Sequence, residues 1–505
     1  MLWCATARLI TSNDKLFEVS PIVIISTIAG YIALLFVVAW ISSRRSAQGS
    51  FFTGGRNTPR VVAAIAMVGA AMSGVTYISV PGTVAADSFS YLQTTLGFFV
   101  GYVIIAYLLI PLYYRLGVVS LYEYLDQRFG VVAHRTGAWF FFVSKILSAS
   151  LRAYIICVVL QELLYDHYNI PFAVNAAIMM LLVWMYTRRG GVRTVVWVEM
   201  VKTLIMSAAI VVSIIFIIKS LGWDFGVAMS AISESHYSDI LFLDNPLDRR
   251  YFWKQFIAGA FLVVAMTGLD QDMMQTILSC RNRSDAQRSM MTSIVIQMVV
   301  IVLFLCLGAL LYLYADMNDI AVTQGDTLFG YVATECGLPV VVGVLFLLGL
   351  VASTYSSAGS ALTALTTSFT LDILDAKRSP ERVERLRRVS HIAIAMVMMV
   401  VIIIFGYSSA SGAITLIFTM ASYTYGPLLG MFAFGLFSRR EVRAKAIPVI
   451  AISAPLVSYI IATNSATWFG GYVFSYEVII LNAAITILGM LLASKPRAME
   501  ACGDN

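Results

Sequence analysis

The chain has 505 residues, of which 59% are hydrophobic and only 12% are charged. A soluble domain carries about 25% charged residues, so the composition excludes an ordinary soluble protein and indicates an integral membrane protein. The net charge is +6, but the basic residues fall in loops between apolar segments. We therefore predict no nucleic-acid partner. The four His and six scattered Cys predict no metal cluster and no zinc spacing.

Apolar segments long enough to cross a bilayer recur along the whole chain. A spanning helix needs about 20 mostly apolar residues, and backbone polar groups in hydrocarbon must bond within their own segment. We therefore predict an all-α integral membrane fold with about 13 transmembrane helices. The predicted spans are 21–41, 61–80, 91–114, 135–163, 170–187, 192–219, 252–278, 290–314, 339–371, 388–407, 411–437, 444–463 and 475–494.

Lys and Arg residues concentrate on one side of these spans. Alternate loops, beginning with the loop after the first span, collect 25 of the 34 Lys and Arg residues. The positive-inside rule makes this side cytoplasmic. We predict a multi-pass protein of the plasma (cell inner) membrane, with residues 1–20 as an extracellular amino terminus and 495–505 as a cytoplasmic tail. Residues 1–20 lack the pattern of a cleavable signal peptide.

Two predicted spans contain glycine and polar residues that favour a break in the helix. They read "AMVGAAMSGVTYISVPG" in the second span and "AMTGLDQDMMQ" in the seventh. Broken helices at corresponding places are typical of inverted-repeat transporters, in which they line the binding site; the alternative is close helix packing through glycine. We predict that residues 1–505 form a single transmembrane transporter domain. Its parts are an extra span at 21–41, repeat 1 at 61–219, repeat 2 at 252–437 and two extra spans at 444–494.

The ninth span carries hydroxyl side chains in the run "GLVASTYSSAGSALTALTTSFTLD". Ser353, Ser356, Ser357 and Ser360 follow helical spacing and share one face. Such a face supplies oxygens to an alkali cation, but Ser and Thr also bond the preceding turn and pack closely. The spacing alone leaves both interpretations open.

Seven ionisable residues lie within predicted spans or near their ends. An ionisable side chain at membrane depth costs several kcal/mol, about 2.5–3.5 on insertion scales, and usually marks a functional cavity. These charges favour a transporter. A channel would need a continuous polar stripe, a sensor would need an output domain, and no arrangement of catalytic groups predicts an enzyme, a catalytic residue or an organic cofactor. The seven residues are Lys145, Arg152, Glu199, Lys202, Asp270, Asp272 and Asp372.

Six stretches in order resemble the sodium:solute symporter family, which includes carriers of proline, sugars, sialic acid and iodide. They read "FFTGGRNTP", "SLYEYLDQRFG", "RRGGVRTVVWVEMVK", "GLDQDMMQTILSCRN", "GLVASTYSSAGS…SFTLDI" and "YGPLLGMFAFGLFSRR". The resemblance implies the inverted five-helix repeat of the leucine-carrier type, here spans 2–6 and 7–11. It also implies sodium-coupled symport of a small organic solute by alternating access, with Na⁺ as the coupling ion.

The resemblance also implies a sodium site between the second and ninth spans. Its ligands are the carbonyls of Gly69, Met72 and Ser353 and the hydroxyls of Ser356 and Ser357. A second sodium site matches Glu199, Ser356, Gly359 and Ser360. In this second set Glu replaces the usual Asp, and Gly359 stands where a Ser is expected.

Lys202 follows Glu199 by three residues, at a place where the resembling carriers often have Gln. A Glu–Lys pair would neutralise both charges within the bundle. Alternatively, the ammonium leans toward the cation site and alters ion or proton coupling. The sequence leaves these two interpretations open.

The substrate is predicted to be a small organic anion, with sialic acid as the leading candidate. Arg152 offers a guanidinium fork that matches a carboxylate, as in the sialic acid carriers that the chain resembles; the alternative is an internal ion pair. Thr76, Thr95 and Met266 replace the residues that sugar carriers use, which argues against a hexose. Another solute class (an amino acid, another monocarboxylate or a sugar) remains the alternative, and an ion channel or a sensor on the same fold is a less favoured one. The predicted substrate set is Ser73, Thr76, Gln93, Arg152, Asp270 and Gln271, and no oligomer is required.

Overall fold

The computed structural model describes residues 21–43, 51–320, 322, 325–376, 380–407 and 413–496. These residues are almost entirely helical, which confirms the predicted all-α fold. The helices in the first half are α1 (Pro21–Ser43), α2 (Arg60–Ala71), α3 (Gly74–Gly82), α4 (Val84–Asp87), α5 (Tyr91–Ile104), α6 (Ile110–Leu116), α7 (Glu123–Phe129), α8 (Val131–Leu160), α9 (Phe172–Ser220) and α10 (Phe225–Glu234).

The second half continues the same all-helical pattern. Its helices are α11 (Phe252–Val263), α12 (Gln271–Leu278), α13 (Arg283–Met317), α14 (Gly325–Glu335), α15 (Val340–Ser368), α16 (Pro380–Tyr407), α17 (Ala413–Phe437), α18 (Ala446–Thr463), α19 (Ser465–Trp468) and α20 (Val478–Leu492). Two short antiparallel strands, β1 (Glu441–Val442) and β2 (Ser494–Lys495), pair with each other. The predicted amino terminus and most of the predicted tail lie outside the described residues.

Eight of the described helices are long and apolar enough to cross a membrane, and two bent helix pairs bring this number to ten. Two further apolar helices, Phe172–Arg188 and Val478–Leu492, are shorter. The protein is therefore a multi-pass membrane protein, whereas the count of about 13 spans stays a prediction. The outer helices α1, α16 and α18 present exposed apolar side chains such as Trp40, Val397 and Ile452, as a lipid-facing surface requires.

Both predicted helix breaks are present. Helices α2 and α3 meet at 60°, and the segment Phe252–Gly268 meets α12 at 67°. Met72 and Ser73 have extended backbone at the first break, and Asp270 is extended at the second. Each break interrupts the helical hydrogen bonds near mid-span and places backbone groups where a solute, an ion or a side chain can bind them.

Helix α15 lies at the centre of the bundle, packed against α9, α8, α1 and α16. Almost all its side chains from Phe346 to Ser368 are buried, so its hydroxyl face points into protein rather than lipid. Helix α2 packs against α9 and α13. The fifth and sixth predicted spans form one long element, α9, which is interrupted only at Gly191 (φ 51°, ψ −139°).

Candidate substrate and cation site

A cavity opens between the two helix breaks. It is about 90 Å³, several times the roughly 10–15 Å³ that one water needs, so it has room for a small solute. Polar groups from three parts of the fold meet apolar and aromatic groups at its wall, a composition typical of small-molecule sites. The lining includes Ser73, Thr76, Lys145, Ser148, Arg152, Thr267, Asp270 and Gln297, with Tyr91, Phe98, Tyr102, Met266, Phe418 and Tyr425.

Arg152 of α8 faces this cavity and also the smaller space that adjoins it beside α15. Its Nε atom is buried and has no hydrogen-bond partner in the part of the chain that the structure describes. A guanidinium has five N–H donors, and a buried donor without an acceptor carries an energetic cost. The position of Arg152 therefore suits a carboxylate ligand that enters the cavity.

Lys145, about two turns before Arg152 on the same helix, joins the two acids of the second break. Its ammonium lies 3.1 Å from Asp270 Oδ2 and 2.8 Å from Asp272 Oδ2. The Tyr425 hydroxyl donates to Asp270 Oδ2 at 2.6 Å, and the Ser360 hydroxyl donates to Asp272 Oδ2 at 3.2 Å. These contacts tie α8, α12, α15 and α17 together beside the cavity.

Four of the six predicted substrate residues line the cavity: Ser73, Thr76, Arg152 and Asp270. Asp270 is already paired with Lys145 and serves to hold the wall. The Thr76 hydroxyl accepts from the Ser73 amide at 3.3 Å, which caps α3 at the break. The two hydroxyl residues therefore both shape the broken helix and face the cavity.

Gln93 and Gln271 do not lie among the residues that line the cavity. The Gln93 amide donates to Arg250 O at 2.8 Å and accepts from Phe242 N at 3.2 Å. The Gln271 amide donates to Val119 O at 2.9 Å and accepts from Leu121 N at 3.1 Å. Both side chains bind backbone groups of neighbouring loops and hold these loops in place. The proposed substrate site therefore does not include them.

The residues predicted to bind the first sodium lie at the contact between α2 and α15. Gly69, Met72, Ser353 and Ser356 are buried, and Ser353 lines the small space beside Arg152. The Ser353 hydroxyl donates to Leu350 O at 2.8 Å within its own helix, in agreement with a ligand role for its carbonyl only.

A protein cation already touches two of these predicted ligands. The ammonium of Lys202 donates to the Gly69 carbonyl and lies 3.5 Å from Ser357 Oγ. The first set therefore does not fit a sodium ion while Lys202 holds this position.

The second predicted cation set keeps unpaired oxygens. Glu199 is fully buried, and its Oε2 atom lies 2.6 Å from Lys202 Nζ, but its Oε1 atom has no hydrogen-bond partner among the described residues. The hydroxyl of Ser356 lies beside this carboxylate, within hydrogen-bonding reach of it. The set therefore offers a carboxylate and hydroxyl oxygens together, which a hard cation prefers, so it fits a sodium ion better than the first.

Gly359, the departure from the expected Ser, lies against α9. A Cβ atom at this position would overlap the Tyr186 side chain and its hydroxyl, which donates to Tyr355 O at 2.7 Å. The phenol of Tyr186 thus occupies the space that a side chain at position 359 would need. Any hydroxyl contribution of that residue to the second set is lost.

We expect Gly359→Ser to destabilise the protein rather than to restore a ligand. Overpacking a dense core costs about 1–3 kcal/mol, and here the added side chain meets Tyr186. The variant should lower the thermal unfolding temperature in detergent, and the loss should be smaller in the Tyr186→Ala background. An equal loss in both backgrounds would contradict this origin of the strain.

The charges around the cavity balance. Three cations, Lys145, Arg152 and Lys202, oppose three acids, Glu199, Asp270 and Asp272. The side chains of Lys145, Asp270 and Asp272 are each less than one-tenth exposed. An unbalanced charge at this depth would be expensive. One anion can therefore enter without a net change of charge only if one cation accompanies it.

Lys145, Asp272 and Tyr425 belong to the site although the sequence does not predict them there. Lys145 and Asp272 stand out in the sequence only as charges within spans, and their pairing requires α8 and α12 to meet. Tyr425 carried no signal beyond its place in a quoted motif. The aromatic lining from α5 and α17 was likewise unmarked in the sequence, since aromatic residues are common on packed helices.

A family model described as the Sodium:solute symporter family matches residues 51–453. The chain belongs to the sodium:solute symporter family. Among relatives within this family, the sodium/iodide cotransporter of Homo sapiens is 24% identical over 58% of this chain and 46% of its own length. Sodium-coupled monocarboxylate transporter 1 of Xenopus laevis is 24% identical over 59% of this chain and 48% of its own.

A bacterial relative extends the match. The sodium/sialic acid symporter SiaT of Proteus mirabilis (strain HI4320) is 23% identical over 65% of this chain and 66% of its own length. The chain thus spans about half the length of the animal relatives and somewhat more of the bacterial one. The matches confirm the predicted family and support coupling to sodium.

Solved transporter structures share the fold. The substrate-bound outward-open state of a Na⁺-coupled sialic acid symporter superposes with a TM-score of 0.79 at 20% identity, over 94% of this chain and 99% of that one. Mhp1, a nucleobase-cation-symport-1 family transporter, gives 0.56 at 14% identity, over 87% of this chain and 93% of that one. These superpositions confirm the predicted leucine-carrier type of architecture.

Proposed function

We propose that the protein is a sodium-coupled symporter of a small organic anion. The observation that carries this proposal is the guanidinium of Arg152 at the wall of the central cavity, whose Nε atom has no hydrogen-bond partner among the described residues. A guanidinium fork holds a carboxylate through two parallel hydrogen bonds. Sialic acid is our leading candidate, and short monocarboxylates are the alternative; the relatives include carriers named for each.

A sodium ion is the second cargo of the proposed cycle. We assign it to the carboxylate of Glu199 and the hydroxyl of Ser356, which are buried side by side, with Ser360 one turn further along α15. Sodium would bring one positive charge to match the charge of the anion. Because each ion makes the other less costly to bury, the two should bind cooperatively, and the coupling must be reciprocal.

In the proposed cycle, the two helix breaks allow the cavity to open alternately to the two sides of the membrane. Helix α2 ends and helix α12 begins beside the cavity, so small movements of α2–α3 and of the second bent pair can open the cavity to either side. We place the protein in the plasma (cell inner) membrane, with its amino terminus outside the cell and its carboxyl terminus in the cytoplasm. The sodium gradient would then drive uptake, with about 2.3 kcal/mol per charge for each 100 mV of membrane potential.

A thermal-shift screen of organic anions, with and without sodium, tests the proposal. We expect a carboxylate such as sialic acid, lactate or pyruvate to raise the unfolding temperature of the purified protein, and more strongly in sodium than in choline. The matched control is the neutral amide or ester of the same compound, which should give no shift. Proteoliposomes should then take up the stabilising anion only with an inward sodium gradient. Stabilisation by sugars or amines alone would contradict an anion carrier.

A further inference from the structure

The ammonium of Lys202 is fully enclosed in the protein. It donates to the Gly69 carbonyl of α2, lies 2.6 Å from Glu199 Oε2 on its own helix α9, and lies 3.5 Å from Ser357 Oγ of α15. An ammonium has three N–H donors and no acceptor. The three donors of Lys202 therefore find three oxygens, each on a different one of the three helices that meet here.

Two of these oxygens belong to the predicted first sodium set. A sodium ion and an ammonium carry the same charge and both bind carbonyl and hydroxyl oxygens. We propose that Lys202 is a tethered cation that takes the place of sodium at the contact between α2 and α15. The close packing around Gly69, where a Cβ atom would meet the Glu199 backbone and Thr203, brings the ammonium within reach of α2.

The other charged groups near the ammonium reinforce this assignment. Glu199 is the direct partner on α9; Asp272 lies on α12 with Lys145 of α8 bound to it, and Arg152 also lies on α8. A sodium ion added to the first set would share the Gly69 carbonyl with the ammonium, so that two positive charges would meet at one oxygen. The site can hold the ammonium or the ion, but not both.

A tethered cation changes what this site does in transport. A sodium ion that enters from one side and leaves on the other carries the energy of its gradient, whereas a side chain of α9 cannot leave. The contact between α2 and α15 therefore forms without sodium, and this position transfers no sodium. The inference goes beyond the proposed function, which requires sodium only at the Glu199–Ser356–Ser360 set.

Two variants isolate the first site in a sodium titration. Glu199→Gln weakens the second set and leaves the ammonium in place, so we expect little response of the unfolding temperature to sodium in place of choline. Glu199→Gln with Lys202→Gln removes the ammonium and keeps the region neutral. We expect the unfolding temperature of this double variant to rise saturably with sodium. Its half-saturating sodium concentration should be at least about tenfold lower than that of Glu199→Gln, equivalent to about 1.4 kcal/mol. Binding of ²²Na⁺ should rise in parallel.

Adding Ser357→Ala to the double variant should remove the gain, because Ser357 belongs to the first set only. Lys219→Gln, at the exposed end of α9, is the matched control and should titrate like the natural protein. The inference is overturned if the double variant gains no sodium binding, or if the natural protein shows a sodium response that Ser357→Ala abolishes. These measurements contain no organic anion, so a failure of the proposed substrate leaves their outcome intact.

Discussion

Replacing Arg152 by Lys should weaken binding of the transported anion about 10- to 100-fold, because a hydrogen bond to a charged group contributes about 1.5–3 kcal/mol. Lys keeps the positive charge but loses the planar fork that matches a carboxylate. The guanidinium faces the cavity and its Nε atom has no described partner, so the change should not disturb the fold. The measurement is the anion concentration that gives half-maximal thermal stabilisation in sodium.

The matched control for this prediction is Arg249→Lys. Arg249 is 62% exposed, pairs with Asp87 at the end of α4 and is not among the residues that line the cavity, so the same chemical change there should leave anion affinity unaltered. An unchanged affinity in Arg152→Lys, with an intact fold, would move the substrate carboxylate away from α8. A large loss of unfolding temperature without anion would instead assign Arg152 a structural role.

The two helix breaks could be predicted because glycine and polar residues interrupt otherwise apolar spans. The sequences around Gly69 and Gly268 contain both signals, and the structure bends at Met72–Ser73 and at Asp270. The hydroxyl face of α15 was equally visible, since helical spacing places Ser353, Ser356 and Ser360 together. Local patterns of this kind depend on one helix alone.

Contacts between distant helices could not be predicted in the same way. Gln93 and Gln271 looked like ligands because an amide in a membrane span is costly, but each satisfies loop backbone in the structure. The spacing of Glu199 and Lys202 left open whether the ammonium pairs with Glu199 or reaches the cation site on α2, because that contact depends on the close approach at Gly69. The partners of Lys145 could not be predicted for the same reason, since Asp270 and Asp272 lie on a distant helix.

The pairing of Lys145 with two acids makes it the residue whose loss should most damage stability. Lys145→Met should lower the free energy of unfolding by about 3–5 kcal/mol, the usual cost of stranding a buried charge. Here Asp270 and Asp272 would both lose their cation. Thermal or denaturant unfolding in detergent measures the loss, with Lys219→Met on the exposed end of α9 as the control.

Neutralising one of the stranded acids should recover much of that loss. In the double variant Lys145→Met and Asp272→Asn, two cations again face two acids, and the Tyr425 and Ser360 hydroxyls keep oxygen acceptors. Replacing a buried ion cluster by neutral groups is often tolerated, whereas removing one partner is not. An exposed ion pair typically contributes under about 1 kcal/mol. If Lys145→Met alone costs no more than this, water reaches the two carboxylates, and the burial of the ion cluster between α8 and α12 is contradicted.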